Sequence, residues 1–138
     1  MTPVESRIVQ SIQYSPHALN RADRAVRCAP FCLPLFLAMR EQGIDLKAIA
    51  GSDGVRHNYT RQPLLELAAE NQLLWLIQVG VLRREVDGQG LTDSFRLTPM
   101  GRQLLNRWHS TGRLKPVSLF DRLANAINRW VRLPNWLQ

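Results

Sequence analysis

Between Thr60 and Gly80 the chain carries Leu64, Leu65, Leu67, Ala68, Leu73, Leu74, Trp75, Leu76 and Ile77, a run that is apolar in nearly every direction around a helix axis. Thr60 reads as the cap, Pro63 falls in the first turn, and the helix is predicted to run to about Gln78, with Gly80 ending it. Such a helix cannot stand alone in water. It has to be buried centrally or covered by a partner. The 138 residues, 45% hydrophobic and 21% charged, are enough for one compact domain around it and not for two.

Helical signals precede the run. Thr2, Pro3 and Glu5 form a helix start ahead of Val4, Ile8, Val9 and Ile12. Ser15 and Pro16 then stop that helix and begin another through Ala18, Leu19, Ala22, Ala25 and Val26, so the two are expected to pair as a hairpin. An apolar helix is predicted from Pro30 to Gln42 with Gly43 as its C-terminal cap, then a short helix over 45–50 and a turn or loop at Gly51, Ser52, Asp53 and Gly54. After Gly80, Val81 to Val86 and Ser94 to Leu97 read as two strands joined through Asp87, Gly88, Gln89 and Gly90. Thr98 and Pro99 start a further helix to about Trp108. The expected fold is mainly α with a small β-hairpin.

Gly80-Val81-Leu82-Arg83-Arg84 and Phe95-Arg96-Leu97-Thr98-Pro99-Met100-Gly101-Arg102, set behind the leucine-rich helix, resemble the second half of a winged-helix domain of the bacterial regulator type. The resemblance covers about residues 64–107, with Leu97, Thr98, Gly101 and Arg102 matching the Leu-Thr-x-x-Gly-Arg start of the last helix. It implies a winged-helix-like core, with extra N-terminal helices before it and a C-terminal amphipathic helix after it. It also implies DNA binding and transcription regulation. The whole chain further resembles an uncharacterised cyanobacterial family with such a core. On this reading residues 1–108 form a single winged-helix-like domain with an N-terminal helical extension, and 109–138 a connector and a basic helix.

If double-stranded DNA is the partner, Arg61 and Gln62, with Asn58, lie near the helix start and can reach a groove, while Arg83, Arg84 and Arg96 on the hairpin hold the backbone. The alternative is a solvated strand face in which these arginines pair with Glu85, Asp87 and Asp93. Glu66 and Glu70, one turn apart on the helix, would be repelled by phosphate.

Charge does not choose between them. The net charge is +7, from 18 Lys plus Arg against 11 Asp plus Glu. Residues 1–108 hold 13 cations and 10 anions (+3), whereas 109–138 hold five and one (+4), so the tail carries most of the excess.

That tail contains a helix predicted to begin at Ser118, with Asp121 as its capping partner. Leu119, Phe120, Leu123, Ala124, Ile127, Trp130 and Val131 form one stripe, opposite Asp121, Arg122, Asn125, Asn128, Arg129 and Arg132; Pro134 and Trp136 follow. Three uses fit. The helix packs on its own domain as an extra core helix. It forms a homodimer seam or receives a partner protein. Or it lies at an anionic membrane, with Trp130 and Trp136 at the interface and the arginines toward phosphates. The second and third uses define an alternative function, a protein-interaction or membrane-peripheral adaptor.

Catalytic patterns are lacking. His17, His57 and His109 are scattered, no metal or phosphate-loop motif occurs, and Cys28 and Cys32, spaced around Pro30, are expected as buried structural thiols. A non-enzymatic protein without cofactor or metal is the expectation. Two cysteines make no disulfide framework, and no secretion-type leader is legible, so a cytoplasmic location is expected. The longest apolar stretch, Ala29–Met39, is broken by Pro30 and Pro34 and falls short of the ~20 residues a spanning helix needs.

Overall fold

The computed structural model describes residues 13–111 and 119–131, with side chains over 13–108 and 121–130. Seven helices and three strands occur among them: α1 (Pro16–Cys28), α2 (Leu33–Glu41), β1 (Ile44–Asp45), α3 (Leu46–Ile49), α4 (Gly51–Arg56), α5 (Glu66–Gln78), β2 (Leu82–Asp87), β3 (Gly90–Leu97), α6 (Pro99–Thr111) and α7 (Leu119–Val131). The fold is mainly helical with one small antiparallel sheet. The expected first helix, and with it the hairpin, lies outside the described residues.

α1 starts where expected: Ser15 accepts from the Ala18 amide at 3.1 Å, and Pro16 opens the first turn. α2 starts three residues later than the Pro30 its sequence suggests. Phe31 forms an antiparallel bridge with Thr60, and the Cys32 amide donates to the Tyr59 carbonyl at 2.8 Å, so this stretch is extended. At the other end Gln42, not Gly43, closes α2, and the chain runs straight into β1. A Cβ at Gly43 would meet only the end of the Glu85 side chain, which can swing aside.

β1 turns the expected hairpin into a three-stranded sheet of order β1-β3-β2. Its two residues pair Ile44 with Phe95 and Asp45 with Ser94, too short a strand to show alternation in sequence. Residues 51–54, expected as a turn, belong to α4. Gly51 (φ +64) makes the break from α3, and Gly54 brings α4 against α3, where a Cβ would sit 2.8 Å from the Ile49 carbonyl carbon. The leucine-rich helix also begins later than predicted. Thr60 is held in the bridge to Phe31, and α5 opens at Glu66.

α5 is not enclosed on all sides. Ala69, Leu73, Trp75 and Leu76 are buried, and Leu65, Leu67 and Leu74 face outward. The inward face joins Leu35, Phe36, Met39, Ile49, Leu82, Phe95, Leu97, Leu104 and Leu105 in a single core. Phe36 meets Trp108 edge to face at 6.0 Å.

The junction between sheet and α6 explains the Leu97-Thr98-Pro99-x-Gly101 pattern. The Thr98 amide donates to the Val81 carbonyl, and the Thr98 hydroxyl accepts from the Gly101 amide, both at 3.0 Å; the same hydroxyl donates to the carbonyls of Gly80 and Val81. Gly101 lets the helix press onto the strand entry, because a Cβ there would overlap the Val81 carbonyl oxygen and lie 2.8 Å from Leu97 Cδ2. Gly101→Ala should therefore cost about 1–3 kcal/mol through overpacking, read as a lower midpoint at unchanged slope in urea unfolding.

Thr60 gives a prediction of opposite sign. It is 3% exposed, and its hydroxyl has no hydrogen-bond partner. Thr60→Val keeps the volume and removes an unsatisfied buried group, so stability should hold or rise by about 1 kcal/mol. A clear loss on thermal unfolding would mean that the hydroxyl is satisfied.

Candidate interaction surfaces

α7 docks through its polar edge. Asp121, Asn125 and Arg129, four residues apart, lie on one face of the helix. Asp121 accepts from Arg27 Nη1 at 2.6 Å and from Arg24 Nε at 3.4 Å. Asn125 Oδ1 accepts from Trp75 Nε1 at 3.0 Å. The Arg129 guanidinium lies 5.6 Å from the centre of the Trp75 ring and reaches Gln72 Oε1 at 3.4 Å. Arg27 also binds Asp23 at 3.0 Å, and Asp23 takes the Trp108 indole N–H at 2.6 Å, so the contact continues into the core through α1.

The described part of the apolar stripe therefore faces largely outward. Leu123, Ile127 and Trp130 are 59%, 52% and 58% exposed, and Arg122 and Ala126 are exposed beside them. α7 does pack on its own domain, but not as a core helix. Asp121 pairs with Arg24 and Arg27, and its expected role as capping partner of Ser118 concerns a residue outside the described ones. The remaining tail candidates, the Phe120 side chain, Arg132 and Trp136, lie outside them too.

Burial opposes the Arg27 charge, but the Asp121 hydrogen bond and the nearness of Asp23 and Asp121 outweigh it and raise its pKa. Arg27 stays protonated, and the link to α7 stays ionic. The neighbouring Cys28 thiol is pushed up, first by burial and then by Asp121. Cys28 and Cys32 are both free and only half-buried, less enclosed than their apolar surroundings suggest.

The sequence-selected arginines of the hairpin do not form one surface. Arg83 pairs across the ladder with Arg96, and Arg84 with Phe95, so Arg83 and Arg96 share one sheet face and Arg84 points to the other. Arg84 lies 5.2 Å from the Phe95 ring centre and 3.2 Å from Asp93. Arg96 donates to the Glu41 carbonyl at 3.1 Å and stands 3.8 Å from Glu85. Asp87, the third expected partner, instead accepts from the Gln89 amide in the turn. Arg83 is exposed, as are Arg61, Gln62 and Asn58 ahead of α5.

A second surface, missed as such in the sequence, is the outward side of α5. Leu67, 69% exposed, is followed one, two and three turns later by Asn71, Leu74 and Gln78, with exposed Glu66 and half-buried Glu70 alongside. No cation lies on α5. The signal was the absence of an arginine from a helix in a chain holding 16 of them.

His57 stacks on Tyr59 with centres 5.2 Å apart and bonds the Asp53 carbonyl at 2.7 Å, so it serves the end of α4. Among the described residues no group of three or more His, Cys, Asp or Glu is arranged to hold a metal, and no helix is long and apolar enough to cross a membrane.

These features define a small mainly helical domain with an antiparallel sheet and a polar-anchored C-terminal helix. The chain belongs to the Npun_F0494-like family, whose model matches residues 12–129, from before α1 to within the last turn of α7. No curated protein and no solved structure gives a match.

The Asp121 contact can be tested without knowing a partner. In a Cys32→Ser background, Cys28 should alkylate slowly at pH 8, because a raised pKa leaves little thiolate. Asp121→Ala removes one cause of that rise and loosens α7. Alkylation should accelerate, and stability should fall by about 1.5–3 kcal/mol, the range for hydrogen bonds to charged groups. An unchanged alkylation rate would contradict the docking described.

Proposed function

We propose that the chain is a non-enzymatic interaction adaptor on a winged-helix-type core. The order β1, α3 and α4, α5, then β2 and β3, with the sheet arranged β1-β3-β2, supports that core. So does the Thr98–Gly101 start of α6. In such a core α5 takes the position of the recognition helix. The chemistry of its outward side carries the adaptor reading. Leu67, Asn71, Leu74 and Gln78 with Glu66 and Glu70 offer a groove no cation for phosphate and two carboxylates against it. They suit a partner protein with an apolar patch and a basic rim. A cytoplasmic setting belongs to the same proposal and fits the two free thiols.

Binding of double-stranded DNA by Arg61, Gln62, Arg83, Arg84 and Arg96, as in a transcription regulator, is the second reading. It is favoured by the exposure of Arg61 and Arg83 and by the weakness of exposed ion pairs, which lets Arg84 exchange Asp93 for a phosphate.

Titration of labelled duplex at about 50 mM and about 200 mM salt separates the readings. The adaptor reading expects no complex at micromolar protein. A complex that weakens steeply with salt and is lost in Arg61→Ala/Arg83→Ala would replace it with the DNA reading. The adaptor reading also expects a protein partner, captured from the source organism, to be released by Leu67→Asp/Leu74→Asp and kept by Arg83→Ala.

A further inference from the structure

We propose that the outward face of α7 is a docking surface for an anionic lipid membrane, a site separate from the α5 face and independent of the adaptor reading. The inference begins with the direction in which α7 is held. Asp121, Asn125 and Arg129 are spent on Arg24, Arg27, Trp75 and Gln72, so the helix lies flat on the domain with its polar edge inward. Outward it presents Leu123, Ala126, Ile127 and Trp130 over two turns, flanked by Arg122.

Charge selects the occupant. Asp121 is the one carboxylate among residues 109–138, and it is turned toward α1. The face that remains is apolar with a cationic edge and no acidic group. Apolar side chains in the acyl boundary, arginines at lipid phosphates and tryptophan at the headgroup level are the pattern of a helix lying in a membrane interface.

Size argues against a second copy of the chain. The 13 residues of α7 span about 20 Å with a face about 10 Å wide. That offers roughly 200 Å2, where a stable interface buries about 800 Å2 on each partner. A dimer seam on α7 alone would also bring its arginine edge close to that of its copy. A lipid surface needs no matching area and supplies the missing negative charge.

The test uses the full chain with vesicles of phosphatidylcholine alone or with phosphatidylglycerol added, read by flotation, together with light scattering for mass. The expected result is binding to the anionic vesicles only, weakened by salt. Leu123→Asn/Ile127→Asn should reduce it at least about tenfold, since two apolar contacts are lost. Arg122→Glu should weaken it while leaving the hydrophobic stripe intact. All these side chains are exposed, so unchanged thermal unfolding confirms that each variant is folded.

Three results would overturn the proposal. One is equal binding to neutral vesicles. Another is anionic binding untouched by all these substitutions. The third is no binding to the anionic vesicles, whether or not a concentration-dependent dimer appears that Leu123→Asn/Ile127→Asn dissolves. Failure of the adaptor reading would be seen separately, at Leu67 and Leu74 and in the duplex titration.

Discussion

Arg27 stands between the core and the C-terminal helix. Its guanidinium binds Asp23 on its own helix and Asp121 on α7, and Asp23 in turn holds the indole N–H of Trp108. All three charged side chains of the Asp23–Arg27–Asp121 chain are largely shielded from water, so the ion pairs are less screened than those on the hairpin. The consequence is directional. An amphipathic helix left to the hydrophobic effect would turn Leu123 and Ile127 inward. Here the fixed partners of Asp121, together with the Trp75 indole that needs an acceptor for its N–H, set the opposite rotation.

The two proposed surfaces depend on that rotation in different ways. α7 covers Trp75, and this lets a large aromatic residue sit near the edge of α5 while remaining buried. The outward side of α5 is the part α7 leaves open. The docking of α7 therefore covers Trp75 and touches Gln72 on the leucine-rich helix, leaves Leu67 and Leu74 open, and directs Leu123, Ile127 and Trp130 to solvent. Solvent-facing leucines on two helices are not a packing defect when the same contacts satisfy the polar groups beneath them.

Local chemistry made much of the fold legible before any coordinates. The Ser15–Pro16 start, the turn at Asp87–Gly90 and the Thr98–Pro99 start are all set within four residues, and the structure has them where the sequence puts them. The departures have long-range causes. Phe31 and Thr60 hold each other in a bridge, and that single pairing delays α2 and cancels the cap expected for α5. Gly51 and Gly54 share turn chemistry with many loops, yet one makes a break between helices and the other a close contact with Ile49. β1 exists because β3 offers it an edge. Hydrophobic periodicity located α7 and left its rotation open among three uses, since the polar partners on α1 and α5 that set it lie 50 or more residues away in the chain.

The arginine excess also changes meaning once it is placed. Sixteen arginines suggest a phosphate-binding surface, but Arg24, Arg27 and Arg129 serve the α7 contact, Arg84 lies along Phe95, and Arg96 ties β3 to the end of α2. Guanidinium suits these tasks better than ammonium, because one planar group can bind two carboxylates or lie against a ring and still donate. Arginine here is in large part a joining residue between helices of a small domain. Among the described residues the exposed cations Lys47, Arg61, Arg83, Arg102 and Arg122 stand on different parts of the fold. Their separation on different elements, with the acidic and apolar side of α5 among them, fits a protein that meets more than one kind of surface better than one built to follow a single phosphate backbone.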